Sequence, residues 1–369
     1  MKIQVMPQEM VKFISINQRA ISTRTTLQLL KCIRFEAADD ELYLRSTDNE
    51  LTIESHFPCR VIEPGEVIIP AALIGDIFRK LPSEMTTLTE KMGMVTITCG
   101  EVHFNLQAPL VGEFPSLPEV KEEECTLLSN EELMQSVKET EFAASLDDTK
   151  EAITGIFFDQ RSDHIRMVAL DGYRLAVKRL LMKNQKELPE CSCIVPKRAF
   201  NELIRMIDPQ EKTFLRILDG HIYLQSGSLK MLSRTIDQTY IEYEEVITAE
   251  SAKTKVTLSR QALVSALERA SLLSREDKSN LIKMNFSGDQ LLISSNSELG
   301  SVEETLPCHQ EGEDLLIAFN AKYILEGVKA FSSDRLLLHF DGELNPLIIY
   351  PEEEKNYLYL VLPVRIAGE

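Results

Sequence analysis

One pattern is written three times in this chain: a short strand that runs straight into an amphipathic helix. It appears as Ile3–Val5 leading into Gln8–Ile21, returns as Cys125–Leu128 leading into Asn130–Ala144, and recurs as Val256–Leu258 leading into Arg260–Leu273. In the third copy Leu263, Ala266, Leu267, Ala270 and Leu273 fall at helical spacing, the apolar stripe of a half-buried helix. Ser129 and Ser259 stand where N-caps belong. A second strand–helix unit follows in each third: Val67–Pro70 then Ala71–Leu81, Cys193–Pro196 then Lys197–Ile207, and Leu315–Phe319 then Asn320–Phe331. In two copies proline closes the strand, where its fixed φ suits helix entry. Alternating strands such as Leu42–Asp48, Ile165–Asp171 and Leu291–Ser297 lie between these units, with turn signals at Asp219-Gly220 and Asp341-Gly342. Each third therefore reads as two helices packed on about eight antiparallel strands, an α+β module.

Acidic or polar stretches, Pro118–Glu124 and Thr248–Lys255, divide the repeat into modules at 1–121, 122–249 and 250–369. With 369 residues and 44% hydrophobic content, each third can bury its own core. No apolar run is long enough to span a membrane, and Met1-Lys2-Ile3-Gln4-Val5 lacks the apolar stretch of a signal peptide, so a cytoplasmic protein is expected. The seven cysteines are odd in number and scattered, as free thiols of a reducing compartment would be. Cys191 and Cys193 share one face of a strand, but no second pair or histidine cluster completes a metal tetrahedron. Neither metal nor cofactor is expected. Catalytic signatures are missing too: there is no G-x-x-x-x-G-K loop, no H-E-x-x-H and no G-x-S-x-G elbow. Asp171-Gly172 is what a tight turn requires. No catalytic residue is assigned, and a non-enzymatic protein is expected.

Four stretches narrow the reading further. They are Gly112–Pro118, Ala169-Leu170-Asp171-Gly172-Tyr173-Arg174-Leu175-Ala176, Phe319-Asn320-Ala321-Lys322-Tyr323-Ile324-Leu325 and the tail Tyr359–Ile366. In their order and spacing they resemble the bacterial DNA polymerase III beta subunit family, the DNA sliding clamps, over Met1–Ile366. The resemblance implies three repeated DNA-clamp modules per chain, with two chains joined head to tail in a ring, helices lining the hole and sheets forming the rim. It implies a processivity factor of the replicative DNA polymerase that encircles and slides along duplex DNA. The implied partners are sequence-independent duplex DNA, a second copy of the chain as a homodimer, the replicative polymerase catalytic subunit and the clamp loader. Further clients carrying a clamp-binding motif, such as translesion polymerases and mismatch-repair proteins, are implied as well.

Charge is the first physical check on that resemblance. A ring that holds DNA without reading it needs a mildly positive lining, because phosphate attraction is independent of sequence. The six candidate helices (7–21, 70–82, 129–145, 196–207, 259–275 and 319–331) carry 13 Lys/Arg against 9 Asp/Glu, while the whole chain carries 40 against 58. One helix breaks the pattern, with Glu131, Glu132, Glu139 and Glu141. Arg24, Arg79, Lys197, Arg198 and Arg205 are the candidate phosphate-facing residues; of these, Arg24, Lys197 and Arg198 match positions where the resemblance implies DNA contact.

The resemblance also implies a client-peptide pocket between the second and third modules. Its residues would be Ile153, Leu170, Gly172, Tyr173, Arg174, Leu175, Tyr240, Ile241, Val246, Asn320, Tyr323, Pro346, Val361, Leu362, Pro363, Val364 and Arg365. Aliphatic walls of this kind bury a client's Leu or Phe at about 25 cal/mol per Å². The sequence departs from the family at Ile241 and Glu245, where many members carry proline and arginine, and in the extra Ala367-Gly368-Glu369. For the ring, the resemblance sets Leu272 and Leu273 against the partner's Phe104 and Leu106. A second reading, a peptide-binding scaffold that never encircles DNA, needs the pocket but neither the positive lining nor ring closure.

Overall fold

The computed structural model describes residues 1–22, 24–109, 114–182, 189–247, 252–274, 280–353 and 356–365. Gly112 and Glu113 of the first family-like stretch, part of the Thr248–Lys255 boundary, and Ile366 with the Ala367-Gly368-Glu369 end lie outside them. The chain packs as two compact units: residues 1–133 with 198–235, and residues 134–197 with 236–369.

Six α-helices are present among the described residues: α1 Pro7–Asn17, α2 Ala71–Lys80, α3 Asn130–Thr140, α4 Lys197–Leu203, α5 Arg260–Ser274 and α6 Ala321–Ala330. Each follows directly on a strand or within a residue of one, as the repeat requires. Pro7 opens α1, where its missing N–H costs nothing, and Pro70 precedes α2. The Ser259 hydroxyl accepts from the Ala262 N–H and caps α5. In α5 the apolar stripe is buried at Leu263, Ala266, Leu267 and Ala270, and only partly at Leu273. The helix expected over 196–207 is shorter: α4 stops at Leu203 and continues as turns. Pro209 disfavours helical backbone at the residue before it, which limits any extension.

The first unit holds two antiparallel sheets. Five strands run in the order Arg60–Glu63, Lys2–Val5, Thr86–Lys91, Met94–Cys99, Val102–Gln107. Eight run in the order Thr126–Ser129, Lys212–Leu218, His221–Ser226, Leu229–Arg234, Leu51–Pro58, Glu41–Thr47, Cys32–Ala38, Gly65–Pro70. The eight-stranded sheet thus crosses from the first repeat into the second where Leu229–Ser233 pairs with Leu51–Ser55. Its core gathers Ile3, Met10, Ile14, Phe35, Leu44, Ile74, Phe78 and Ile97.

The second unit repeats the plan. Nine strands run in the order Cys191–Pro196, Gly155–Gln160, His164–Leu170, Arg174–Leu181, Tyr357–Val361, Leu347–Pro351, Arg335–Phe340, Thr254–Ser259, His309–Gly312. Four run in the order Gly300–Pro307, Gln290–Ser297, Leu281–Ser287, Leu315–Asn320. Here the second and third repeats join where Arg174–Lys178 pairs with Tyr357–Val361. Eight strands end the four sheets without an outer neighbour among the described residues; Val102–Gln107 in the first unit and Gly300–Pro307 in the second are two of them. Such open edges invite pairing with another chain.

Candidate functional site

The most elaborate site lies in the second unit and begins at a turn. Between His164–Leu170 and Arg174–Leu181, Gly172 takes φ +92°, a conformation that L side chains rarely adopt. Asp171 locks the turn by accepting from the Tyr173 N–H at 2.9 Å and the Arg174 N–H at 3.1 Å. The turn leaves Tyr173 60% exposed and sends Arg174 inward.

Arg174 is then held on every side. Its Nε donates to Asp171 at 2.9 Å, its Nη1 to Glu326 at 2.5 Å and its Nη2 to the Phe142 carbonyl at 2.8 Å. Its guanidinium lies 4.6 Å from the Tyr323 ring centroid and 5.4 Å from that of Phe142. Burial alone would lower its pKa. The Glu326 hydrogen bond, with Tyr359, Asp171 and Glu326 nearby, reverses the sign and raises it, so the charge is permanent. Tyr173 stacks on Tyr323 with centroids 5.8 Å apart.

Beside this post lies an apolar floor. Ile153, Leu170, Leu175 and Tyr240 pack in one buried cluster with Val168, Ile194, Tyr243, Ile348 and Leu360. Phe157 stacks on Tyr240 at 4.7 Å, and the Tyr240 hydroxyl donates to the Val168 carbonyl. Burial pushes that phenol's pKa well up, which keeps it neutral. Large apolar side chains stay exposed in the same unit: Tyr173, Ile241, Val246, Leu362 and Val364. The tail segment carrying the last two is pinned by the Leu362 N–H to the Tyr173 carbonyl and the Val364 N–H to the Ala318 carbonyl. Several exposed apolar groups in one unit make it a candidate interaction surface.

The remaining expected residues divide. Gly172 and Arg365 are exposed, while Pro346 and Pro363 are partly buried. Val361 is wholly buried within its strand. Asn320 spends its side-chain oxygen on capping α6, accepting from the Lys322 and Tyr323 N–H groups. The sequence reading missed Glu326, Phe142 and Tyr243. Glu326 sits three residues after Tyr323 on α6, and that i, i+3 spacing was the available signal. Phe142 carried none, because it acts through its carbonyl and ring.

The candidate DNA-facing cations are all at least partly exposed, and most are engaged. In the first unit Arg24 forms no ion pair among the described residues, and Arg79 pairs with Asp76 at 2.7 Å. Arg198 pairs with Asp48 and Arg205 with Glu202 at 3.5 Å. In the second unit Lys197 pairs with Glu141 at 2.8 Å. For the ring contacts, Phe104 and Leu106 lie on the open-edge strand Val102–Gln107, partly buried against the first unit's core. On α5, Leu272 is 65% exposed while its neighbour Leu273 is partly buried. Among the described residues no group of three His, Cys, Asp or Glu side chains could hold a metal. No helix among them is long and apolar enough to cross a membrane.

Comparison with known proteins agrees along the whole chain. The DNA polymerase III beta subunit family matches in three consecutive pieces: its N-terminal domain at residues 1–118, its central domain at 127–242 and its C-terminal domain at 245–365. The beta sliding clamp of Staphylococcus epidermidis is 31% identical over 359 residues, 94% of each chain. That of Staphylococcus aureus is 30% identical over the same share. Among solved structures, the DNA polymerase sliding clamp from Bacillus subtilis superposes with TM-score 0.95 at 27% identity, over 99% of both chains. A putative DNA polymerase III beta subunit from Eubacterium rectale gives 0.92 at 27% identity, over 99% of this chain and 100% of that one.

Proposed function

The chain belongs to the DNA polymerase III beta subunit family, and from that premise we propose which of its residues do the family's work. As a member it is a sliding clamp, a processivity factor that rings duplex DNA and has no catalysis of its own. Two chains close the ring head to tail. The open-edge strand Val102–Gln107, with Phe104 and Leu106, meets the partner's third module, where Gly300–Pro307 is the matching free edge and Leu272 is the exposed apolar group. A heterologous contact of this kind satisfies both edges at once when the rotation closes. Arg24, Arg79, Lys197, Arg198 and Arg205 face the phosphates. The ring works in the cytoplasm, where the bacterial chromosome is copied.

Clients dock on the second unit's apolar surface. They are the replicative polymerase catalytic subunit, the clamp loader, and motif-bearing translesion polymerases and mismatch-repair proteins. The observation that supports this assignment is that Tyr173, Ile241, Val246, Leu362 and Val364 stay exposed in the unit that buries Leu170, Leu175 and Tyr240. Aliphatic or aromatic client side chains gain about 25 cal/mol for each Å² of apolar surface buried there.

Two measurements test the reading. A fluorescent peptide with a Gln-rich start and a Leu-Phe end is titrated against the parent, Leu175→Glu and Tyr173→Ala. Leu175→Glu abolishes binding and Tyr173→Ala, an exposed change, weakens it; equal affinity for all three removes the site. Clamp loaded on closed circular DNA stays bound and slides off after linearisation. Equal retention on both forms would favour the peptide-binding scaffold that never encircles DNA.

A further inference from the structure

On the first unit's helical side, three arginines and two carboxylates form a continuous chain of contacts. Asp48 sits in the turn between strands Glu41–Thr47 and Leu51–Pro58, where its Oδ1 accepts from the Glu50 and Leu51 N–H groups. That leaves Oδ2 aimed at Arg198 of α4, whose Nη1 donates to it at 2.5 Å. The Nη2 of Arg198 donates to the Arg19 carbonyl at 2.9 Å. Arg19 in turn donates from Nη1 to Glu202 at 2.6 Å, and the other oxygen of Glu202 lies 3.5 Å from Arg205. The two carboxylates are the better-buried members: Asp48 is 8% and Glu202 17% exposed by side chain, against 33%, 49% and 61% for Arg19, Arg198 and Arg205. The cations therefore look outward while the acids hold them from beneath.

A lining that must let DNA slide has a conflicting requirement. Each arginine free to take a phosphate adds a released counterion and a steep, salt-dependent affinity. An arginine already shared with a fixed carboxylate gains less on meeting a phosphate, because part of its charge is answered internally. We propose that Asp48 and Glu202 are attenuators of DNA affinity: they hold Arg19, Arg198 and Arg205 in internal ion pairs, so that this face attracts duplex DNA without gripping it. The proposal rests on the reading that Arg198 and Arg205 face DNA, and it extends that reading to Arg19, which shares Glu202 with Arg205. Arg24, which has no ion pair among the described residues, is an unattenuated cation of the same unit.

The test uses the full-length protein and a fluorescein-labelled duplex of random sequence, with anisotropy followed from low to physiological salt. Asp48→Asn, Glu202→Gln and Glu202→Asp are compared with Arg198→Ala and Arg205→Ala. Thermal unfolding checks that every variant is folded. Glu202→Gln raises affinity at low salt by about two- to fivefold for each arginine released. It also steepens the slope of log K against log salt, by up to about 0.9 per freed cation. Asp48→Asn does the same for one arginine, and Glu202→Asp, which keeps the charge, returns toward the parent. The two arginine variants weaken binding and flatten the slope. If the arginine variants weaken binding but the neutral acid variants match the parent, attenuation is wrong and the pairs are struts between the repeats. If the arginine variants also match the parent, the reading that this face meets DNA falls, and the proposal with it.

Discussion

The molecule joins consecutive repeats twice by the same device, a strand of one repeat laid antiparallel on a strand of the next, and the two seams have opposite characters. In the first unit Leu229–Ser233 meets Leu51–Ser55, where the nearby acid Glu54 is buried, 8% exposed by side chain, and its cationic partners reach further toward water. Glu54 pairs with Arg45 and lies 3.7 Å from Lys230, whose side chains are 17% and 36% exposed. In the second unit Arg174–Lys178 meets Tyr357–Val361, and the ion pair beside the seam is drier on both sides. Lys178 pairs with Glu139 at 2.7 Å with side chains 10% and 3% exposed. The Tyr357 hydroxyl donates to the Glu139 carbonyl, and the Lys178 ammonium lies 6.0 Å from the Tyr357 ring centroid. Only the second seam carries Arg174, its aromatic cage and the apolar floor beside it. A shared topology closes both seams, and side-chain chemistry makes one a joint and the other a joint with the proposed client surface attached.

Removing one partner of each buried or half-buried pair should separate the seams most strongly. Glu139→Ala strands the Lys178 charge in a dry site and costs about 3–5 kcal/mol. Glu54→Ala leaves Arg45 and Lys230 with access to water and costs about 1–2 kcal/mol. Urea midpoints for both variants measure the difference, and equal shifts would mean the seams do not differ in dielectric character.

A smaller contrast comes from two helical glycines. A Cβ added at Gly327 of α6 would lie 2.0 Å from the Tyr359 ring, whose hydroxyl is tied to the Tyr323 carbonyl. A Cβ at Gly75 of α2 would meet the Gln18 amide at 2.5 Å, the far end of a flexible side chain. Gly327→Ala is therefore expected to cost about 1–3 kcal/mol through overpacking. It should also weaken peptide binding at the proposed client surface, where Tyr323 stacks on Tyr173. Gly75→Ala should stay within about 1 kcal/mol of the parent, since alanine's higher helix propensity offsets the crowding. Calorimetric melting with a peptide titration distinguishes the two.

The smallest effect is in alkaline titration. Burial raises the pKa of Tyr223 beside the first seam to about 12, and lifts Tyr357 and Tyr359 at the second seam well above their ordinary value. A raised phenol pKa favours the folded state while the unfolded tyrosine is neutral. That stability is complete below pH ~10 and is lost as pH rises through the folded value. Tyrosinate absorbance should show Tyr223 ionising before Tyr357 and Tyr359, which stay protonated until the second unit opens. Substitution of each tyrosine by phenylalanine assigns the steps; reversal of their order would contradict the drier second seam.

Much of the site was legible before any coordinates. Periodicity marks the strand His164–Leu170 and the helix α6 that carry part of it, and Asp171-Gly172 marks the turn that exposes Tyr173 and buries Arg174. Ile153, Leu170, Leu175 and Tyr240, named as pocket residues from resemblance, belong to one packed cluster. The misses are of one kind. Glu326, Phe142, Asp48 and Glu202 act on residues 150 or more positions away or through a backbone carbonyl. Ile241 and Leu362 were named as pocket residues from the resemblance alone, and only packing leaves them exposed.

By itself the sequence determined the three-fold repeat, the module type, the absence of the known catalytic signatures and the acidic body with its more basic helices. Those properties are local, set by pattern and composition over a few turns or strands. Tertiary structure decided which of two identical joints is dry, which leucine of α5 is exposed and which arginines are already answered by a carboxylate. These depend on residues far apart in the chain meeting at a few ångströms, where burial and ion pairing change a side chain's role without changing its identity.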